Sequence, residues 1–372
     1  MNRTDALSVL VLAFVVVLLG CQNERADTTA WLEDLPRLSL EEVDRFDEPL
    51  FGSISAIATD AEGRVYVADG QALQISAFDA DGSFLYTVGE SGDGPGEFSF
   101  LSDLAVFNDT LYAYDSMARR MNLWPTGSPE LGRMWTPKEP LSDRTLIARD
   151  THGALWVEDG PTVIRSMDDR DLQNKAILSQ TKPDGSLQDS VHAVEGTDNF
   201  IVQNEDGAIF HALPYYRESH FAFARDRLYH HWSGHAVVDV YNTELNHRNQ
   251  ITMPHDGAAL TSSDRRDMID SDWQPAHMAS DFRQVLRARI PDRWPATRGF
   301  FADDRGRVWL GLRDIAEDTT VWVVTDAEEN LHGWVDMPQS IQLEAAQGDI
   351  VYAVDHEDAS GGPVVVKYEL QQ

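Results

Sequence analysis

From residue 54 onward the chain reads as short apolar runs separated by turns rich in Gly, Asp and Asn. Six times such a run carries an aromatic residue just after a turn. These are Val65-Tyr66-Val67, Leu111-Tyr112-Ala113, Leu155-Trp156-Val157, Leu228-Tyr229-His230, Val308-Trp309-Leu310 and Val351-Tyr352-Ala353. Where nothing intervenes the aromatics recur about every 45 residues, a period that with strand-like units points to repeated four-stranded sheets. Two gaps are longer, each by roughly one insertion. Within the first unit the pattern predicts strands at 54–59, 64–68, 74–78 and 83–88, with turns at Asp60-Ala61-Glu62-Gly63 and Asp79-Ala80-Asp81-Gly82. Its second strand is apolar on both faces, as a strand sandwiched between neighbouring sheets must be. One four-stranded sheet cannot bury both faces alone, so the units must close into a ring. The sixth unit, 341–370, has sequence for three strands. Residues 37–46 are read as its fourth, which joins the chain ends and removes open sheet edges.

The ring is interrupted once by a helical pattern. Thr261-Ser262-Ser263-Asp264 reads as a helix start, and Ser280-Asp281 as another. Phe282, Val285, Leu286 and Ile290 then share one helical face, and Pro291 ends the segment. The insertion therefore spans about residues 261–291, with Arg283, Arg287 and Arg289 on its other face.

The first residues follow a different pattern. Ala6 to Leu19 is almost wholly apolar and is followed at once by Gly20 and Cys21. That run is shorter than the ~20 residues a membrane-spanning helix needs, but it suits a signal-peptide core. Cys21 is the single cysteine of the chain, so no internal disulfide can form. Leu18-Leu19-Gly20-Cys21 resembles the bacterial lipobox. The resemblance implies a signal peptide at 1–20, diacylation of the Cys21 thiol, and a tether at 21–36. Asp5 departs from the usual positive start, and Gln22 after the cysteine resembles outer-membrane sorting.

The repeat also has a relative in sequence. Residues Ile57 through Asp69 and Ile75 through Gly82 resemble an NHL repeat. Gly89-Glu90-Ser91-Gly92-Asp93-Gly94-Pro95-Gly96-Glu97-Phe98 is similar to the Gly-rich connection between NHL blades. The whole chain is similar to a family of bacterial six-bladed β-propeller lipoproteins of undefined function. The match is close in the first two units and loose from residue 160 to 290. The resemblance implies an all-β, six-bladed ring over 37–372, anchored in the cell envelope. NHL repeats carry arginine ahead of the third strand. Arg120 fits that place, whereas Gln74 occupies it in the first unit.

Charge narrows the partners. Among 372 residues, Asp and Glu number 62 against 30 Lys and Arg, a formal net charge of -32. Such a surface repels nucleic-acid phosphates and anionic headgroups, so no nucleic-acid partner is expected. Adaptation to salty surroundings is a second reading of the same excess.

Candidate chemistry is sparse. Asp79-Ala80-Asp81-Gly82, Asp303-Asp304-Arg305-Gly306 and Asp326 look like fragments of calcium loops, but none has the full loop spacing, and they read as turns. His230, His231 and His235 cluster beside Trp232 in a segment that alternates as a strand, not as a metal-binding helix. No metal or cofactor is expected. Candidate partner-binding positions are Asp69, Asp115 and Asp159 at the ends of second strands, Arg119, Arg120 and Arg313 near the following turns, and Arg283 and Arg287 in the insertion. Three classes of function fit. The first is an envelope scaffold binding a protein, peptide or glycan. The second is a propeller hydrolase or lyase with a metal in the central channel, for which His220 and Asp150 are available. The third is a structural part of an envelope complex. Fold alone does not choose among them.

Overall fold

The computed structural model describes residues 30–371, apart from 47, 137–143, 151–152, 159–161, 165–173, 182–191, 205–206, 213–215, 271–286, 314–317 and 359–360. Cys21, Asp159, Arg283 and the expected helix start at Ser280-Asp281 lie outside the described residues.

Six four-stranded antiparallel sheets follow one another along the chain. Blade 1 comprises Ile54–Thr59, Val65–Asp69, Gln74–Phe78 and Phe84–Val88. Blade 2 comprises Leu101–Phe107, Thr110–Asp115, Arg120–Pro125 and Arg133–Trp135. Blade 3 comprises Arg144–Asp150, Gly153–Glu158, Lys175–Thr181 and His192–Glu195. Blade 4 comprises Ser219–Ala224, Arg227–Trp232, Val237–Asn242 and His247–Thr252. Blade 5 comprises Thr297–Ala302, Val308–Leu312, Thr319–Thr325 and Leu331–Pro338. Blade 6 takes Ile341–Gln347, Ile350–Asp355 and Val364–Gln371 from the C-terminal end of the chain, and Ser39–Phe46 pairs antiparallel with the last of these. Each inner strand packs against the inner strands of both neighbouring blades, and blade 6 meets blade 1, so the ring is closed. The fold is an all-β six-bladed propeller, as expected, and all six signature aromatics fall on second strands. The outer strand of blade 6 begins at Ser39 rather than at Arg37. Residues 36–38 instead lie along blade 5, where Leu38 donates its amide to Trp334 at 2.8 Å and Arg37 pairs with Asp336 at 2.6 Å.

The core is six wedges, one at each blade interface. Phe46, Val65, Val67, Phe78, Tyr352 and Val365 fill the wedge between blades 6 and 1, and Trp309, Trp322, Val351 and Val366 fill that between 5 and 6. Second and third strands are buried on both faces because a wedge lies on each side, which explains their unbroken apolar runs.

Antiparallel order places every turn between strands one and two, or three and four, on one face of the disc. Connections between strands two and three, and from one blade to the next, lie on the opposite face. The first is here the turn face, the second the loop face. The turn face is a band of inter-blade ties. In blade 1, Asp60 accepts from Arg64 Nε at 2.8 Å and Tyr66 Oη at 2.9 Å. In blade 5, Asp303 accepts from Arg307 Nε at 2.6 Å and Trp309 Nε1 at 3.1 Å. Gly63 (φ 84°) and Gly306 (φ 77°) make the two turns in left-handed conformation, where a Cβ would be strained. These carboxylates are spent on their own turns. Gln347 Nε2 donates to the Asp60 carbonyl at 2.5 Å, Tyr229 Oη to that of Gly306 at 3.3 Å, and Gly127 N to Tyr66 Oη at 2.8 Å, each joining two blades.

Both long insertions emerge on the loop face. The earlier one is divided. Thr162–Ile164 leaves blade 3 between its second and third strands, and Asn199–Asn204 with Gly207–Ala212 follows its fourth. The pieces form a separate three-stranded sheet with one parallel pair. The sequence pattern did not predict this sheet, because its strands are interleaved with those of blade 3. Near its end the later insertion is helical at Arg287 and Ala288, and it carries the helix Ser262–Asp270. Its start is a capping box: Asp264 N donates to Thr261 Oγ1 at 3.1 Å, and Thr261 N to Asp264 Oδ2 at 2.7 Å. The segment then ends at buried Ile290.

Candidate functional site

The loop face is organised by buried carboxylates at the ends of second strands. Asp69 accepts from the amides of Gly52 (2.7 Å), Ser53 (3.1 Å), Gln71 (2.9 Å) and Ala72 (3.0 Å). It thereby binds the loop entering blade 1 to the turn after the second strand. Asp115 does the same in blade 2, accepting from Ser99 (2.8 Å), Phe100 (3.2 Å) and Ala118 (2.9 Å). Arg120 lies 3.5 Å from Asp115 and is itself buried. Its guanidinium donates to the carbonyls of Gly92 (3.1 Å), Glu97 (3.0 Å) and Asp93, fastening the Gly-rich connection to blade 2. The acceptors of Asp69 and Asp115 and the terminal nitrogens of Arg120 are therefore engaged inside the protein rather than presented to solvent.

What these caps present is apolar. Leu50 is 72% exposed, Phe100 52% and Met117 70%. All three stand on loop-face segments held by Asp69 or Asp115. Arg119, in the same turn as Met117, is exposed with φ 55°. Large apolar side chains on backbone this well tied were not singled out in the sequence. Nothing in the local pattern distinguishes them from core residues. Only the topology shows that they fall outside every wedge.

Blades 4 and 5 bring a polar cluster to the same face. Tyr216, Glu218 and His220 alternate along the chain entering blade 4, so their side chains share one side. His220 Nε2 lies 3.4 Å from Glu218, and burial holds His220 below the usual histidine range. Burial, with Glu218 beside it, pushes the Tyr216 hydroxyl up. Arg217 donates to Asp198 at 2.5 Å and lies over the Trp232 ring at 4.6 Å, while Arg289 lies over Phe200 of the three-stranded sheet at 4.5 Å. Both insertions are thus joined to each other and to blade 4. Arg313 follows the second strand of blade 5, where its carbonyl accepts from His255 Nε2 at 3.0 Å. Arg287 is exposed at the end of the insertion.

The histidines are structural. His230 Nε2 is 2.8 Å from Ser219 Oγ, and His231 Nε2 is 2.6 Å from Thr297 Oγ1. Burial pulls their pKa values down to about 4 and about 3, so both rings are neutral. Among the described residues no three His, Cys, Asp or Glu side chains are grouped to hold a metal ion. Two wide depressions, of about 510 and 490 Å³, lie away from the loop face, near Arg64 and Asp79 in one case and Asn108 and Arg133 in the other.

Inner strands carry bulges in five blades, including one at Ser102 and one at Glu344. A bulge breaks the alternation and re-aims a side chain. Burial pushes the Glu344 carboxyl up to about 7 and that of nearby-bulge residue Asp103 up to about 6. Among the described residues no helix is long and apolar enough to cross a membrane.

Comparison with known proteins follows the fold. Residues 37–122 match a family model described as a 6-bladed beta-propeller. No curated protein matches the chain in sequence. A member of the duf4221 family from Bacteroides vulgatus has 9% identity and a TM-score of 0.53, covering 90% of this chain and 99% of its own. An inferred exported protein from Bacteroides fragilis has 10% identity and a TM-score of 0.50, over 90% and 95% of the two chains. Virginiamycin B lyase from Staphylococcus aureus is more distant, at 9% identity and a TM-score of 0.42 over 90% and 99% of the chains. At such identities the likeness is one of fold and extends to no activity. The chain is a six-bladed β-propeller, and its sequence match to that family model covers the strand that closes the ring, blade 1 and blade 2 only as far as the start of its third strand.

Proposed function

We propose that the protein is a membrane-anchored envelope lipoprotein whose propeller is a binding scaffold, with the loop face as its working surface. The observation that carries this reading is the contrast between faces. On the turn face, Asp60, Tyr66, Tyr229, Asp303 and Gln347 are engaged in hydrogen bonds within and between blades. The loop face gathers both insertions and holds large apolar side chains out of the core on backbone pinned by buried carboxylates. Exposed apolar groups on rigid supports are what a protein interface uses, since little ordering entropy is lost on binding. The anchor is supported by the apolar run ending at Gly20-Cys21.

Two measurements test the parts separately. Labelled palmitate is expected to enter the wild-type chain and to be absent from Cys21→Ala; absence of label from wild type ends the lipoprotein reading. A photo-crosslinking amino acid at Phe100 or Tyr216 is expected to give discrete adducts in the producing cell, and at Phe84, on the outer strand of blade 1, to give none. Equal adducts at Phe84, or none from the loop face, end the scaffold reading.

A further inference from the structure

We infer that the part of the loop face over blades 1 and 2 docks a basic protein segment with apolar side chains, rather than a second copy of this chain, a glycan or a bilayer. This rests on the scaffold reading and names the chemistry of its partner.

Phe100 and Met117 stand on neighbouring segments of the loop face, with exposed Leu50 on the loop that enters blade 1. Asp115 receives the amides of both Phe100 and Ala118, which brings the segments bearing Phe100 and Met117 side by side. Asp69 joins Gly52 to Gln71 in the same way, so the segment bearing Leu50 lies against the blade 1 turn. The two halves meet at Ser55, whose hydroxyl donates to the Leu101 carbonyl at 3.5 Å, next to Phe100. A Cβ placed on Gly70 would stand 3.7 Å from that same carbonyl. Blades 1 and 2 are therefore in contact at the boundary beside Phe100. The backbone there is already ordered, so a partner that covers it need not freeze it.

Charge selects the partner. Glu48, Glu90 and Glu357 are exposed on loop-face connections of blades 6, 1 and 2, as is Asp93, which accepts from Ser99 Oγ at 3.1 Å. Arg119 is the exposed cation described among them, because Arg120 is buried against Asp115 and three carbonyls. An apolar centre with an acidic rim complements apolar side chains flanked by Lys or Arg. A second copy would bring its own charge of -32 to the contact, and an anionic bilayer is repelled for the same reason. A neutral glycan stacked on Phe100 would make no use of the acidic rim.

The test uses the full chain in nanodiscs of neutral phosphatidylcholine and fluorescent short peptides alternating Lys with Leu, Lys with Ser, or Glu with Leu. Saturable binding of the Lys–Leu peptide is expected, weakening as salt is raised, with the other two at least about tenfold weaker. Phe100→Ser with Met117→Ser is expected to lose about tenfold in affinity. Phe84→Ser with Leu85→Ser, a matched pair on the outer strand of blade 1, is expected to bind as wild type does. Melting curves confirm that each variant is folded; if the double variant is not, Met117→Gln alone takes its place, with a loss of a few-fold expected. Equal binding of the Lys–Ser peptide, preference for the Glu–Leu peptide, salt-dependent dimerisation blocked by the double variant, or unchanged affinity in the loop-face variant would each overturn the inference. Loop-face crosslinks without Lys–Leu preference would remove this partner chemistry alone; absence of both removes the scaffold reading as well.

Discussion

Where a strand leaves an aspartate sets what that aspartate does, as three placements show. At the start of turns, Asp60 and Asp303 hold an arginine and an aromatic of their own blade. At the ends of second strands, Asp69 and Asp115 gather backbone amides from two loops. On the inner strand of blade 2, Asp103 follows a bulge and accepts only the amide of Leu104, at 2.8 Å, among the described residues. Glu344 is a related case at the blade 6 bulge, reachable by solvent yet enclosed enough that burial lifts its carboxyl to about 7. The sign of its effect on stability follows. A carboxyl whose pKa is raised on folding binds its proton more tightly in the folded state, so its contribution is lost as pH rises through about 7. Glu344→Gln removes that loss. The variant is expected to exceed wild type in urea-unfolding stability at pH 8 by about 1 kcal/mol, discounted for solvent screening, and to match it near pH 4.5. His230 and His231 act with the opposite sign, because their lowered pKa values cost stability as pH falls below the ordinary histidine range. The comparison must therefore be variant against wild type at each pH. A gap that is constant with pH would show that Glu344 does not titrate differently on folding.

At the scale of elements, one strand has a disproportionate task. Among the described residues Ser39–Phe46 is the one strand of blade 6 from the N-terminal part of the chain, and it supplies Phe46 to the wedge between blades 6 and 1, stacked on Phe78 at 4.6 Å. Leu32 and Leu38, just before it, are buried against blades 4 to 6. Losing these three side chains and a strand ladder would cost on the order of 5 kcal/mol, a large share of a typical domain's stability. Removal of residues 30–46 is therefore expected to lower the melting temperature sharply and broaden the transition, since the open edge of Val364–Gln371 is left unpaired. A sharp transition at the wild-type temperature would mean that closure contributes little. The helical insertion illustrates the converse. Its capping box was legible as Thr261 followed by Asp264, because a cap is decided within one turn of chain. Its docking through Arg289 on Phe200 was not, because the two residues are brought together by a sheet that the sequence splits around blade 3.

For the molecule as a whole, the excess of carboxylates is the dominant long-range property. Ion pairs do not neutralise it. Arg45 serves Glu42, Asp355 and Asp358 at once, and such partly exposed pairs are each worth ~0–1 kcal/mol. Screening weakens those few attractions and also the repulsion among the many remaining charges, and at -32 the repulsion is the larger quantity. Raising salt from about 0.05 to about 1 M is expected to raise the melting temperature by several degrees, read by calorimetry. A flat or falling temperature would show that the charges are too dispersed to oppose folding.

The sequence by itself determined the blade count, the strand limits of blade 1 to within a residue, the closing strand and the turn residues. Each depends on local periodicity or on a conformation one residue can signal, as Gly63 and Gly306 do with φ of 84° and 77°. Candidate residues were legible as types but not as roles. Asp69, Asp115 and Arg120 stood out as polar groups at a rim, and only the tertiary structure placed them under the surface, turned toward backbone. The same holds in reverse for Leu50, Phe100 and Met117, which look like any core position in the chain. Whether an apolar side chain lies inside a wedge or on a face depends on blades far apart in sequence, and that distance is closed only by the ring.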